Sequence, residues 1–193
     1  MTTHLARDDV RSPSQWPVTI DNEITAGRAQ DLYRVYLDSF AELGAKAAAR
    51  QILSAEEFYD ELADSRIVKY TVWRSDNDPV ALATVTNQLS AVPWISPDFY
   101  ASRHPAQAER NAIYYLGIAL VAPGRGQFRL LERLVQELVK PCLADKGVLA
   151  FDVCAFNDLT IRFGQRAETV LHRIAPVRVS VADTQIYYQA VFD

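Results

Sequence analysis

Two kinds of hydrophobic pattern follow one another along the first half of the chain. Residues 18–20, 67–74 and 80–89 are rich in β-branched side chains or alternate apolar with polar positions, which is typical of strands. The turn-forming run 75–79 joins the last two, so they should form an antiparallel hairpin. Residues 26–43 repeat apolar side chains every three or four positions, which predicts a helix with one buried face.

A second helix is predicted by its start signal. Ser54 and Glu57 are three residues apart, the spacing of a capping box in which each side chain bonds the other residue's backbone amide. The helix should cover about residues 55–64 and bury Phe58 and Leu62.

The second half of the chain predicts a crossover. Residues 112–121 and 148–155 are nearly unbroken apolar runs, as in strands buried on both faces, and residues 128–139 have helical spacing. A strand, a helix and a strand in this order place the two strands parallel. Residues 177–181 and 184–192 predict two closing strands. We therefore expect an α/β fold with a mixed, mostly antiparallel central sheet of about seven strands and helices on both faces.

Residues 91–110 interrupt these patterns with prolines and concentrate aromatic side chains, notably Trp94, Phe99 and Tyr100. An aromatic-rich irregular insertion of this length is typical of segments that cover a cleft. It could wall a pocket for an acyl group or its acceptor. The alternatives are a hydrophobic cover for the sheet or a dimer contact.

Size and charge narrow the classes of function. A chain of 193 residues with net charge −4 suits one domain and does not favour a nucleic-acid binder. The polar residues 1–14 predict a flexible tail without a signal peptide, and no apolar run is long enough for a membrane span. We expect one domain over residues 15–193, a cytoplasmic location, reduced cysteines and no metal site.

The most informative segment is a glycine-rich loop between a buried strand and a helix. Gly124 and Gly126 permit positive φ, and the helix that follows offers backbone amides and partial positive charge to an anion such as a pyrophosphate. Arg125 adds charge at the same end. A strand-to-helix turn that uses glycine only for its geometry explains the local pattern equally well.

The residues Val121-Ala-Pro123, followed by Arg125-Gly126-Gln127, resemble the hallmark of the GNAT acyltransferases. The run from Asp152 to Asn157 is similar to the next strand of that family, which ends in an asparagine near the cofactor. This resemblance implies a fold that holds acetyl-CoA or another acyl-CoA as co-substrate between two splayed strands. The implied cofactor contacts are Leu120, Val121, Arg125, Gly126, Gln127 and Asn157.

The resemblance also implies a reaction, the direct attack of an amine on a thioester. A backbone amide from residues 118–121 would polarise the carbonyl, and Glu109, Asp152 or His104 would act as base. We expect burial of Asp152 in its apolar strand to raise its pKa. Tyr115 is the candidate acid or hydrogen-bond donor. The implied partners are a small-molecule or peptide amine acceptor and a second copy of the chain in a homodimer.

Three departures from the family pattern support an alternative. Phe128 and Leu130 stand where the family has small residues, and Gly164 stands where it often has a tyrosine acid. These favour a catalytically weak or inactive module that binds an acyl carrier or a protein partner. A nucleotide-binding domain is disfavoured, because no lysine follows the glycines as a Walker loop requires.

Overall fold

The computed structural model describes residues 16–123 and 126–192, so the predicted tail 1–14 lies outside the described residues. The strands are β1 (Val18–Asp21), β2 (Val68–Ser75), β3 (Asp78–Thr86), β4 (Ile113–Val121) and β5 (Val148–Phe151). The helices are α1 (Ala26–Phe40), α2 (Ala55–Ala63), α3 (Pro97–Arg103), α4 (Pro105–Glu109), α5 (Gln127–Leu138), α6 (Lys140–Ala144), α7 (Ala155–Ile161) and α8 (Phe163–His172). Short 3₁₀ turns cover Ala41–Ala45 and Leu89–Ala91.

The described strands form one mixed sheet in the order β1-β2-β3-β4-β5. The first three pairings are antiparallel, and only β4 and β5 run parallel within this sheet. The predicted hairpin of β2 and β3 and the parallel crossover through α5 are therefore confirmed. The expectation of a mostly antiparallel sheet is also confirmed.

The predicted number of strands is wrong. The described part of the chain forms five strands instead of about seven, because residues 177–181 and 184–192 join no ladder. An alternating pattern shows only that a segment can pair, and a strand also needs a neighbour that offers its backbone groups. These residues leave large apolar side chains in solvent, namely Val181, Ile186, Tyr187, Tyr188, Val191 and Phe192.

Helices cover both faces of the sheet, as predicted. In β3, Ala81 and Ala83 join a core cluster that includes the inward face of α5. Leu82, between them in sequence, joins the other cluster, with α1 and α2. Successive side chains of a strand point to opposite faces, so this central strand is buried by helices on both sides.

Helix α2 is fixed by the predicted capping box. The Ser54 amide donates to Glu57 Oε2 at 2.8 Å, and the Glu57 amide donates to Ser54 Oγ at 3.3 Å. Phe58 and Leu62 are fully buried, and such burial contributes about 1.5–3 kcal/mol for each side chain. These contacts determine which side of α2 faces the sheet.

The insertion is more regular than expected. Its prolines Pro97 and Pro105 begin the short helices α3 and α4. Proline is tolerated at the first helical position, where the backbone amide has no partner within the helix. Residues 91–96 remain irregular apart from the end of a 3₁₀ turn, and they carry Trp94 towards the sheet.

Candidate functional site

Strand β4 continues beyond its pairing with β5. The parallel ladder ends at the pair Leu116 and Phe151, whereas β4 runs on to Val121. Residues 117–121 thus have no strand partner on that side among the described residues. We call the space beside them the β4–β5 gap.

The direction of the backbone groups at the gap follows from one hydrogen bond. The Ala122 amide donates to the Val80 carbonyl of β3 at 2.8 Å. Backbone groups alternate in direction along an antiparallel strand, so the amides of Ala119 and Val121 point away from β3 and towards the gap.

A β-bulge lies at the start of this stretch. Ala83 pairs with Ala119 and Val85 pairs with Leu116, so β4 contains one residue more than β3 between these pairs. The Thr84 hydroxyl fills the irregularity by accepting a 2.8 Å hydrogen bond from the Ile118 amide. The Ile118 amide, one of the predicted thioester donors at 118–121, is therefore already engaged.

Thr84 also binds a carboxyl group from helix α2. Its hydroxyl donates to Glu61 Oε1 at 2.7 Å. Burial raises the pKa of Glu61, and the hydrogen bond from Thr84 and the charge of Lys69 oppose that rise only in part. A carboxyl group whose pKa is raised by burial is a candidate general base when it also lines a cleft.

The Glu61 carboxylate lies directly against β4. A Cβ atom added at Gly117 would be 3.4 Å from Glu61 Oε1 and 2.9 Å from Thr84 Oγ1. Gly117 therefore leaves space that any side chain would occupy. Sequence reasoning missed Glu61, although its spacing of three residues from buried Phe58 puts a charged residue on the inward side of α2.

A cavity of about 260 Å³ opens beside this carboxylate. We call it the α2 cavity. Its walls come from α2 and the loop before it, from the turn at 91–94, and from β3 and β4. The lining residues that bear on its chemistry are Arg50, Glu57, Asp60, Glu61, Asp64, Val92, Pro93, Trp94, Tyr115 and Gly117.

The aromatic wall of the α2 cavity is held by a chain of hydrogen bonds. Trp94 Nε1 donates to the Tyr115 hydroxyl at 3.3 Å, and the two rings meet edge to face. The Tyr115 hydroxyl in turn donates to Asp152 Oδ1. Burial raises the pKa of Tyr115, and the bond to Asp152 raises it further. The hydroxyl proton of Tyr115 is therefore bound strongly and is donated to Asp152.

The other predicted catalytic residues are placed differently from expectation. Asp152 follows the end of β5 and is exposed, so the expectation that it is buried within the strand is wrong. The strand ends at Phe151, four residues before the end of the predicted run 148–155. Glu109 is exposed at the end of α4 and does not line the α2 cavity. His104 lies between α3 and α4 and also lines no part of it.

The predicted cofactor residues lie around the far end of β4. Leu120 is buried among α1 and α2 side chains, so only its backbone is available to a ligand. Gly126 has the predicted positive φ, at 84°, immediately before α5. Gln127 Nε2 donates to the Val121 carbonyl at 3.2 Å. Arg125 lies outside the described residues.

Asn157 is placed in the first turn of α7 and is partly buried. Cys154 occupies the N-cap position of this helix. Its neighbour Phe156 lies under the Lys46 ammonium group, at 4.6 Å from the ring centroid. This contact links the loop between α1 and α2 to the helix that follows β5.

A second cavity, of about 340 Å³, lies at the turn between α7 and α8 and contains none of the predicted site residues. In residues 16–123 and 126–192, no group of three or more histidine, cysteine or acidic side chains could hold a metal ion. The helices of these two ranges are too short or too polar to cross a bilayer.

No family model matches the chain, and no curated protein matches it.

Proposed function

We propose that the protein is an acyl-CoA-dependent N-acyltransferase that moves an acetyl or longer acyl group to an amine. The observation that supports this most is the unpaired stretch of β4, where the amides of Ala119 and Val121 face the β4–β5 gap. An extended amide-containing arm, such as the pantetheine of coenzyme A, can form strand-like hydrogen bonds there.

The amides at the gap have a second use in the proposed reaction. A backbone amide that points to a thioester oxygen stabilises the negative charge that develops there when the carbonyl is attacked. Beyond the strand, Gly126 and the start of α5 offer further amides and the positive end of a 12-residue helix. These groups suit the phosphates at the other end of coenzyme A.

Glu61 is the base in this proposal. Its carboxylate lies beside Gly117, two residues before the first amide that faces the gap, and one of its oxygens is held by Thr84. It takes the proton of the attacking ammonium group, so that the nitrogen can form the bond to the acyl carbon. The nitrogen then carries one proton more than the amide product, and this proton passes to the departing thiolate as the carbon–sulfur bond breaks. A thiolate of pKa about 8.5 is a good leaving group without a strong acid.

Tyr115 and Asp152 act as positioning groups in this scheme. Their hydrogen bond joins the wall of the α2 cavity to the residue that follows β5. Tyr115 pairs with Ala150, next to the last pair of the ladder, so the bond lies where the two strands part. It fixes Trp94, which donates to the same hydroxyl.

A module that binds an acyl carrier protein is the second candidate. Phe128, in the first turn of α5, is half exposed, with the guanidinium of Arg173 over its ring at 5.1 Å. A bulky side chain at this end of the helix narrows the space for free nucleotide phosphates. A carrier protein presents the same pantetheine arm without an adenine nucleotide.

Thermal-shift measurements with acetyl-CoA, a longer acyl-CoA and free coenzyme A test the proposal, followed by a thiol-release assay with added amines. Stabilisation by acyl-CoA beyond that by coenzyme A, with amine-dependent thiol release, is the expected result. Stabilisation by acylated carrier protein without turnover would support the module instead. No stabilisation by any of them would contradict both candidates.

A further inference from the structure

The α2 cavity has two chemically different sides. Helix α2 contributes the carboxyl groups of Glu57, Asp60 and Glu61, and Asp64, which follows its last residue, contributes a fourth. The turn at 91–94 and β4 contribute an apolar and aromatic side, in which half of the Trp94 side chain is exposed. A ligand that fills this cavity therefore meets both carboxyl groups and apolar surface.

Two of the four carboxyl groups already have cationic partners. Glu57 forms a bidentate ion pair with the two terminal nitrogens of Arg50, at 2.6 and 2.7 Å. Asp64 Oδ2 lies 2.5 Å from Arg66 Nη2.

Asp60 and Glu61 form no ion pair within the part of the chain that the structure describes. The only described hydrogen bond to the Glu61 carboxylate comes from Thr84 to Oε1, which leaves Oε2 available to a donor in the cavity.

We propose that the α2 cavity binds a small primary amine that carries no carboxylate, with its ammonium group at Asp60 and Glu61 and its apolar body against Trp94. An ammonium group donates three hydrogen bonds, which carboxylates accept, and an indole ring offers apolar surface to the rest of the amine. The lining of the α2 cavity therefore predicts which class of amine accepts the acyl group. The role of the cavity as an acceptor site rests on the proposed function.

The size of the cavity limits the body of the amine. A volume of about 260 Å³ lies below the roughly 300–1,000 Å³ of pockets that hold drug-sized ligands. A single aromatic ring or a short alkyl chain with one amine suits this space.

The cavity also discriminates against amino acids. Arg50 is the only cationic side chain among its described lining residues, and both of its terminal nitrogens bind Glu57. The carboxylate of an amino acid would enter a site of like charge without a partner. A carboxylate without a partner in a partly desolvated site weakens binding.

Phenethylamine and L-phenylalanine form a matched pair of probes, because they differ only in the carboxylate. Isothermal titration of each into the full chain, without acyl-CoA, should give at least 10-fold tighter binding of phenethylamine. Asp60→Asn should weaken phenethylamine binding by about 10-fold, which corresponds to about 1.4 kcal/mol. Glu56→Gln, on an exposed position of α2 outside the cavity, is the matched control and should leave the affinity unchanged.

Each outcome has a definite meaning. Equal or tighter binding of L-phenylalanine would overturn the inference, and so would an Asp60→Asn variant that binds phenethylamine like the wild type. Binding of acetyl-CoA without binding of either probe would overturn the inference and leave the proposed acyl transfer intact. Preferential binding of phenethylamine by a chain that does not bind any acyl-CoA would support an amine site in the α2 cavity and contradict the proposed function.

Discussion

The Thr84 hydroxyl donates a 2.7 Å hydrogen bond to the Glu61 carboxylate and so joins strand β3 to helix α2. The same oxygen accepts a 2.8 Å hydrogen bond from the Ile118 amide at the bulge of β4. One buried hydroxyl therefore connects the proposed base to the strand that borders the β4–β5 gap.

Thr84→Val tests this connection, because valine has the shape of threonine without its hydroxyl. The Ile118 amide then loses its partner and Glu61 loses a donor, which should lower the free energy of unfolding by about 1–3 kcal/mol. The pKa of Glu61 should rise further, because a hydrogen bond that lowers it is removed. Urea unfolding measures the first effect, with Thr19→Val in β1 as the control. A loss no larger than that of the control would contradict it.

The elements with local signals could be predicted from the sequence. The capping box at Ser54 and Glu57 and the hairpin of β2 and β3 involve residues close in the chain, and both are found. The parallel pairing of β4 and β5 could also be predicted, because a helix between two neighbouring strands brings the chain back to the end at which the first strand began.

The candidate site could be predicted only in part, because it depends on contacts between distant segments. Glu61 acquires its role from the packing of α2 against Thr84, 23 residues further along the chain. Asp152 differs from expectation because an apolar run does not show at which residue the ladder ends. The prediction of strands at 177–181 and 184–192 is wrong for a related reason, since the pairing of a strand depends on an available neighbour.

Glu61→Gln should reduce amine-dependent thiol release by about 10²- to 10⁴-fold, because glutamine cannot accept the ammonium proton. The wild-type rate should increase with pH as the Glu61 carboxyl ionises, with a midpoint above its ordinary pKa of 4.5. Rates measured between pH 4 and 8 give both quantities, and Glu56→Gln serves as the control. A Glu61→Gln variant with the wild-type rate would remove Glu61 from the mechanism.

Glu61→Gln should also change how the free energy of unfolding depends on pH. Because burial raises the pKa of Glu61, the folded chain holds this proton more tightly than the unfolded chain does. Wild-type stability is thus reduced as the pH rises from about 4.5 through the raised pKa. Glu61→Gln removes this loss, so its stability relative to the wild type should increase from pH 4 to pH 7. Urea titrations at both pH values measure it, and a decrease would contradict the assigned direction.

Gly117→Ala should close part of the α2 cavity. Its Cβ would lie 2.9 Å from Thr84 Oγ1, which is held by two hydrogen bonds and cannot move without losing them. We expect at least 10-fold weaker phenethylamine binding and lower stability. Gly27→Ala in α1 is the control, because nothing lies within 4 Å of its added Cβ. That change should not lower the stability of the helix, because alanine is the better helix former. Unchanged binding by Gly117→Ala would show that the amine site lies elsewhere.

Lys69 gives a pH dependence of the opposite sign. Its ammonium group is buried and donates to the carbonyls of Asn22 and Asp64 at 2.8 and 2.6 Å. Burial lowers its pKa from 10.5 to about 8, and nearby carboxylates oppose this shift. Below pH 8 the group is charged in both the folded and unfolded states, so the full cost of burying the charge is present. That cost declines as the pH rises towards 10.5.

Wild-type stability relative to Lys69→Met should therefore increase between pH 8 and pH 10, as measured by urea unfolding of both proteins. Tyrosines also ionise at about pH 10. Because both proteins contain the same tyrosines, the comparison cancels their contribution to stability. Lys140→Met, at an exposed lysine, is the control for the loss of a surface charge. A constant difference across this range for Lys69→Met would contradict the lowered pKa.

Amide NMR of the ¹⁵N-labelled full chain, titrated with acetyl-CoA, tests the central claim most directly. The claim is that the amides of Ala119 and Val121 bind the thioester arm in the β4–β5 gap. It predicts saturable shifts of both amide signals, with smaller shifts of the Leu120 and Ala122 amides, which face β3. Saturable binding that leaves the Ala119 and Val121 signals unchanged, or no binding at all, would contradict it.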